Sequence, residues 1–187
     1  MSQTTCELFE AGSVTSAALS DGAVTAAKLA AGAGGKILQV VQTVKTDTFS
    51  DTQSPQFTDW VDVTGLSVSI TPASTSNKIL VLAQVSVVGA ATQPFAARLL
   101  RGASTPLIAD TSGSRTPSTV SSRHESGQAL AALPITFLDS PSTTSATTYK
   151  IQVAAESTVY VNRTGSDSDA SSFYRSTSSI IAMEVAG

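Results

Sequence analysis

Leu66-Ser67-Val68-Ser69-Ile70, closed by Thr71-Pro72 and followed by Ile79-Leu80-Val81-Leu82-Ala83-Gln84-Val85-Ser86-Val87-Val88, decides the fold. In the first segment apolar and hydroxyl side chains alternate, the period-two pattern of a strand with one buried face. Thr64-Gly65 predicts a turn before it, and Thr71-Pro72 a stop after it. In the second segment Ile79, Val81, Ala83, Val85 and Val87 share one face. Leu80 and Leu82 occupy the other, which predicts a first half buried on both sides, as in a strand near a sandwich core or a subunit contact.

Outward from this pair the texture stays β. Strands are expected over residues 37–44, 57–63 (which carries Trp60), 95–101, 129–138, 149–153, 158–162 and 179–185. Tyr149, Ile151 and Val153 alternate with Lys150 and Gln152, and Ile181, Met183 and Val185 alternate at the end. Pro134 falls inside a strand pattern, and a missing N–H is tolerated there only at an edge or a bulge. Many short strands with Gly, Pro and Ser turns and no helical period indicate an all-β antiparallel β-sandwich over residues 37–187. A jelly roll is the first choice and an immunoglobulin-like sandwich the second. The pattern leaves the strand order open.

Hydrophobic residues make up 41% of the 187, enough for a core. Charged residues are only 13%, about half the usual share. Ser and Thr replace them, at roughly three residues in ten, above the ordinary globular level. Such a surface is typical of extracellular or virion-exposed β proteins. With net charge −3 and scattered Lys and Arg, nothing attracts a phosphate backbone, so no nucleic-acid partner is expected. No apolar stretch reaches membrane-spanning length, and residues 1–10 lack the basic start and apolar run of an export signal. Cys6 is the single cysteine, so no intrachain disulfide forms. It can sit reduced against a partner surface or pair between subunits.

Residues 12–36 are different. Gly12-Ser13-Val14-Thr15-Ser16-Ala17-Ala18-Leu19-Ser20-Asp21 and Gly22-Ala23-Val24-Thr25-Ala26-Ala27-Lys28-Leu29-Ala30-Ala31 repeat one ten-residue unit, and Gly32-Ala33-Gly34-Gly35-Lys36 begins a broken third. Thr15 and Thr25 are good N-cap residues, so each unit reads as a short helical turn plus a bend. Val14, Leu19, Val24 and Leu29 are too few to bury themselves in one chain. Several copies around a common axis, these four side chains inward, would bury them. The plainer reading is an Ala/Gly linker. Gly34-Gly35-Lys36 is not a phosphate-binding loop: Ala30 stands at the required first glycine and Ile37 at the required Ser or Thr. It reads as a joint between residues 1–36 and 37–187.

The Gly-Ala-Val-Thr-Ala-Ala-Lys-Leu-Ala repeat, running into Ile37-Leu38-Gln39-Val40-Val41-Gln42 and a Ser/Thr-rich β domain, resembles tail-fibre and related virion fibre proteins of tailed bacteriophages. The motif covers residues 12–88. The resemblance implies a homotrimer in the virion, an N-terminal arm that docks on another virion protein, and a distal head for host attachment. In that reading Leu8 and Phe9 are the docking pair. A capsid head fibre or decoration protein without receptor role is the alternative.

Two long loops interrupt the sheet pattern, residues 110–128 and 163–178, and long loops on a rigid β scaffold commonly carry binding. The first holds Arg115, Arg123, His124 and Glu125; the second holds Asp167, Asp169, Phe173, Tyr174 and Arg175. His124, Asp169, Tyr174 and Arg175 are the candidates for contact with a host-surface glycan. Phe173 and Tyr174 suit the core or a subunit contact first, and with Arg175 also a sugar-stacking patch. The two loops are expected to be neighbours at the end of the sandwich away from Ile37. Catalysis is not expected: His124 is the only histidine and no nucleophile elbow is present. Asp167 and Asp169 lack the spacing of a calcium loop, and one His and one Cys cannot hold zinc. No metal or cofactor is expected. Asn162-Arg163-Thr164 is a glycosylation sequon on paper only.

Overall fold

Val81, Val85 and Val87 are completely buried in β4 (Lys78–Gly89), the centre of the molecule. The computed structural model describes residues 36–53, 57, 59–90, 92–123 and 128–187. Leu8, Phe9, Val14, Leu19, Val24, Leu29 and His124 lie outside the described residues, as does nearly all of the 1–36 segment. Ten further strands complete the described part: β1 (Ile37–Lys45), β2 (Phe49–Thr52), β3 (Val61–Ile70), β5 (Pro94–Arg101), β6 (Thr105–Leu107), β7 (Val120–Arg123), β8 (Ala131–Asp139), β9 (Thr147–Ala155), β10 (Thr158–Val161) and β11 (Ser178–Val185). All paired strands are antiparallel.

They form two sheets. In one, β4 lies between β8 on one side and β11 and β10 on the other; β1 flanks β11 and β2 flanks β10. In the other, the order is β3-β9-β5, with β6 and β7 sharing the outer edge of β5. Setting aside the short β2, β6 and β10, the sheets are β1-β11-β4-β8 and β3-β9-β5-β7. That order is the jelly roll, two Greek keys folded face to face. The first choice from sequence holds and the immunoglobulin-like arrangement does not, because here the first and last strands pair with each other.

The period-two residues face between the sheets. Leu66, Val68 and Ile70 meet Ile79, Val81, Phe95, Leu99, Leu133, Ile135, Ile151 and Ile180 in one core cluster. Each such side chain contributes about 1.5–3 kcal/mol on full burial, so the core is ample for residues 37–187. The expected break at Thr64-Gly65 is absent. Residues 61–70 are one strand, with a register shift between Asp62 and Ser67 and Gly65 at φ 81°. A glycine in the left-handed region absorbs the irregularity as a bulge, so the strand bends rather than turns. Pro134 sits on β8, which pairs with β4 alone, so the missing N–H faces an unpaired edge.

Buried polar groups tie the sheets at both ends. At the Ile37 end, the Asp139 carboxylate of β8 accepts Arg101 Nη1 at 2.9 Å from both oxygens and the Tyr149 hydroxyl at 2.7 Å. At the opposite end, Gln53 accepts the Ala155 N–H at 2.6 Å and donates to the Val153 carbonyl at 3.2 Å. The chain passes between sheets from β1 to β3, β4 to β5, β7 to β8 and β9 to β11 at this second end, which therefore carries the long β9–β11 connection.

Candidate functional site

β10 ends at Val161 because Asn162 turns the chain. Asn162 is fully buried at φ 61°, a conformation Asn tolerates better than other non-glycine residues. Its amide nitrogen donates to the carbonyls of Lys45 and Asp47, each at 2.9 Å, and its oxygen accepts the Ser178 hydroxyl at 2.6 Å. With both amide hydrogens engaged and no exposure, the sequon is a structural corner and not a sugar acceptor. Arg163 and Arg175 bridge across the base of the loop, and Ser176 N–H donates to the Asn162 carbonyl at 3.1 Å.

Above that base the loop holds itself. Arg163 lies over the Tyr160 ring at 4.7 Å and donates to the Thr164 and Gly165 carbonyls. Thr164 is buried and donates to the Ser166 carbonyl. Asp167 receives Arg175 in a fork, Nε to Oδ1 at 2.9 Å and Nη2 to Oδ2 at 2.6 Å, with Arg163 Nη1 3.6 Å away. Such a bidentate pair fixes the guanidinium plane, though at this exposure it adds under about 1 kcal/mol of stability.

The product is a cleft of about 360 Å³ lined by Asp167, Ser168, Asp169, Phe173, Tyr174 and Arg175. Three of the four residues singled out in the sequence, Asp169, Tyr174 and Arg175, thus come together. Tyr174 is 61% exposed, so it is not a core residue; Phe173 is half-buried. The Asp169 carboxylate and the Tyr174 hydroxyl have no partner among the described residues. Of the five N–H donors of a guanidinium, Arg175 spends two on Asp167, leaving three. A planar aromatic face beside acceptors and oriented donors suits a polyhydroxylated ligand: the ring covers CH groups while the polar groups take hydroxyls.

The other loop is placed differently from expectation. Val120 to Arg123 is not loop but β7, paired with β5 from Pro94 to Ala97. Residues 108–118 leave the edge of β5 midway, closed by Ala109 N–H to Ser118 carbonyl at 3.2 Å and by the Ser112–Arg115 bridge. Arg115 and Arg123 line their own cleft of about 430 Å³ with Phe57, Pro94 and Ser121. No residue of one loop lines the cleft of the other. A third, larger cleft of about 510 Å³ lies at the Ile37 end between residues 101–105 and 141–148. Its lining is mostly small and hydroxylic, and its one charged member, Arg101, is held by Asp139.

Sequence reading missed a polar network on the outward face of the second sheet. Arg98 lies over Trp60 at 4.4 Å and donates to Gln152 at 2.8 Å; Gln152 and Lys150 both donate to Asp62, at 2.6 and 2.7 Å. The signal was the alternation of Lys150 and Gln152 with the buried Tyr149, Ile151 and Val153. Burial alone would raise the Asp62 carboxyl; the Lys150 and Gln152 hydrogen bonds and the Lys150 and Arg98 charges outweigh it and hold it below the ordinary value. Burial lowers the Arg98 guanidinium, against the pull of Asp62.

No family model matches this chain, and no curated protein matches it. Among solved structures, it is similar to a chain in the structure of infectious bursal disease virus Gx strain, with TM-score 0.38 and 12% identity over 81% of this chain and 39% of that one. For the Gt strain of the same virus the TM-score is 0.36, with 12% identity over 79% and 38%. The chain thus spans about two fifths of the length of the structures it matches.

Proposed function

We propose that this protein is a virion fibre of a tailed bacteriophage, held to the particle through residues 1–36 and attaching to host-surface glycan through the jelly-roll head. One observation carries the reading. The Asp169–Tyr174–Arg175 cleft is on the β9–β11 connection, at the end of the sandwich opposite Ile37, where residues 1–36 join. A head tethered at one end has its other end free to meet a cell. The repeat of residues 12–31 supports the tether, with Val14, Leu19, Val24 and Leu29 on the axis of a homotrimer and Leu8 and Phe9 docking on another virion protein. Binding proceeds without covalent chemistry. Each contact contributes about 1 kcal/mol net, and three clefts on one stalk gain strength through effective concentration.

The Asp167–Arg175 fork favours a second reading, because a loop whose charges satisfy each other is also a stable spacer. That is the capsid head-fibre alternative, with no receptor role. Particles carrying Asp169→Ala, Tyr174→Ala or Arg175→Ala separate the two. On the attachment reading, adsorption to host cells falls while stability changes by no more than about 1 kcal/mol, the most the exposed Asp167 pair can contribute. Unchanged adsorption in all three variants removes the receptor role from this cleft. Antibody-labelled electron microscopy of particles places the protein on tail or capsid.

A further inference from the structure

Four of the six arginines in the chain are set against a carboxylate. Arg101 meets Asp139, Arg163 and Arg175 share Asp167, and Arg98 reaches Asp62 through Gln152. Arg115 and Arg123 are different. Arg123 Nε donates to the Thr92 carbonyl at 3.0 Å, and Arg115 Nη1 to the Ser112 carbonyl and hydroxyl at 3.4 and 3.2 Å. These acceptors are neutral. Among the described residues no Asp or Glu lines the cleft of about 430 Å³ that the two arginines share. In a chain of net charge −3, two guanidinium groups brought to one cleft with no acid beside them repel each other until an anion joins them. The fold supplies them from separate elements. Arg123 ends β7, opposite Pro94 of β5, and Arg115 closes the turn bridged to Ser112. Phe57 reaches the same cleft from between β2 and β3, at φ 55°, a conformation rare for a bulky residue and of the kind found at ligand clamps.

We propose that this cleft binds an acidic sugar, a carboxylate or phosphate group carried on a saccharide ring, with Arg115 and Arg123 holding the anion. Each guanidinium is fixed on one side by its neutral acceptor and keeps N–H donors on Nη2, so it can meet two oxygens of a carboxylate or phosphate together. The rest of the lining selects what carries the anion. Phe57 and Pro94 offer an apolar surface to ring CH groups, and Ser121 and Ser122 of β7 offer hydroxyls to ring hydroxyls. A bare inorganic anion would use the arginines and leave Phe57 idle. An acidic peptide would use the charges but brings few hydroxyls to the serines. The inference goes beyond the Asp169–Tyr174–Arg175 cleft and does not depend on it, because no residue lines both.

The full chain is titrated with glucuronate, glucose-6-phosphate, inorganic phosphate, glucose and a short glutamate peptide. Ligand-observed NMR gives each affinity, and the Nε–H signals of isotope-labelled arginine show which side chains respond. The expected result is binding of glucuronate or glucose-6-phosphate with a dissociation constant on the order of 1 mM, moving the Arg115 and Arg123 signals, while glucose moves neither. The tighter of the two acidic sugars tells a uronate-bearing from a phosphorylated saccharide. Arg115→Gln with Arg123→Gln weakens the acidic sugar by at least about tenfold and leaves the melting temperature unchanged, since both side chains are exposed and touch only neutral groups. Phe57→Ala weakens the sugar and leaves inorganic phosphate alone. Inorganic phosphate binding as tightly as glucose-6-phosphate overturns the saccharide assignment, and a glutamate peptide binding more tightly than either acidic sugar makes the cleft a protein contact and overturns it too. Glu125, two positions beyond Arg123, lies outside the described residues, so Glu125→Gln is titrated beside wild type. Binding seen only in Glu125→Gln means that the chain neutralises its own arginines, which also overturns the proposal. Binding abolished by Arg175→Ala and untouched by the Arg115/Arg123 pair places the sugar in the other cleft, which overturns this inference and leaves the attachment reading standing.

Discussion

Asn162 shows how much one side chain can hold. It closes β10, accepts from Ser178 in β11 and donates to the carbonyls of Lys45, the last residue of β1, and Asp47 beyond it. Asn162→Ala removes these bonds and puts an ordinary residue in the left-handed region. Urea denaturation is expected to show a loss of about 3–5 kcal/mol, less than the sum of the parts because the Asp47 carbonyl is partly wetted. Asn162→Gly keeps the backbone and loses only the bonds, so it should be milder by about 1 kcal/mol. Equal losses in the two variants would show that the φ of 61° is not held in solution. Asp62 gives a pH-dependent counterpart. Its folded pKa is depressed, so its contribution is present above the ordinary carboxylate value near 4 and is lost as pH falls through the folded value. Because the group is half exposed, that contribution is under about 1 kcal/mol. The stability gap between wild type and Asp62→Asn should be flat above about pH 5 and close below it; a gap that widens in acid contradicts the assignment.

At the level of elements, Gly65 is the test case. A Cβ there would meet nothing closer than Lys45 Nζ at 3.7 Å, ordinary contact, so only the backbone opposes a side chain. Gly65→Ala is expected to cost about 1–2 kcal/mol and Gly65→Asn less, since Asn visits φ above zero more readily. A larger loss for Asn than for Ala in thermal melts would show that crowding rather than conformation governs the bulge. Gly65 also marks where the sequence could be read and where it could not. β4, β9 and β11 were legible because each has one face in the core and largely alternates, and β5 because it is a short apolar run, buried on both faces at Ala96 and Leu100. β2, β6 and β7 were not, because three or four residues show little period and, unlike β10 with Val159 and Val161, each carries a single bulky apolar residue, Phe49, Leu107 or Val120. Leu80 and Leu82 were read as buried on both sides. They face outward and are half-exposed, so that expectation does not hold for residues 37–187. In the candidate site the residue types Asp169, Tyr174 and Arg175 were legible. The Asp167 fork that orients Arg175 was not, because it is set by the Arg163–Arg175 bridge, a contact between residues far apart in the loop.

For residues 37–187 as a whole, the question is whether two sheets melt as one. The Asp139 clamp argues that they do. Asp139 belongs to the β4 sheet, while Arg101 and Tyr149 belong to the other, and the carboxylate and phenol are both buried. Opening the sheets strands a charge that took three hydrogen bonds to satisfy, so partial opening at the Ile37 end is as costly as losing the core beside it. The same clamp makes an alkaline signature. Burial first, then the hydrogen bond to Asp139 and its negative charge, push the Tyr149 phenol far above its usual range, with Arg101 opposing. A folded pKa raised above the unfolded one supplies stability that is complete below the unfolded value near 10 and is lost as pH rises past it. In the unfolded chain Tyr149 ionises near that value, whereas in the folded chain burial and Asp139 oppose its ionisation. Wild type should therefore lose stability above about pH 10 in one transition seen alike by far-UV dichroism and by phenolate absorbance. Tyr149→Phe should start about 1–3 kcal/mol lower at neutral pH, for the donor it removes from a buried carboxylate, and fall less steeply in alkali. If Tyr149→Phe falls as steeply as wild type, or if the Tyr149 phenolate forms before the dichroism changes, the clamp does not join the two sheets into one cooperative unit.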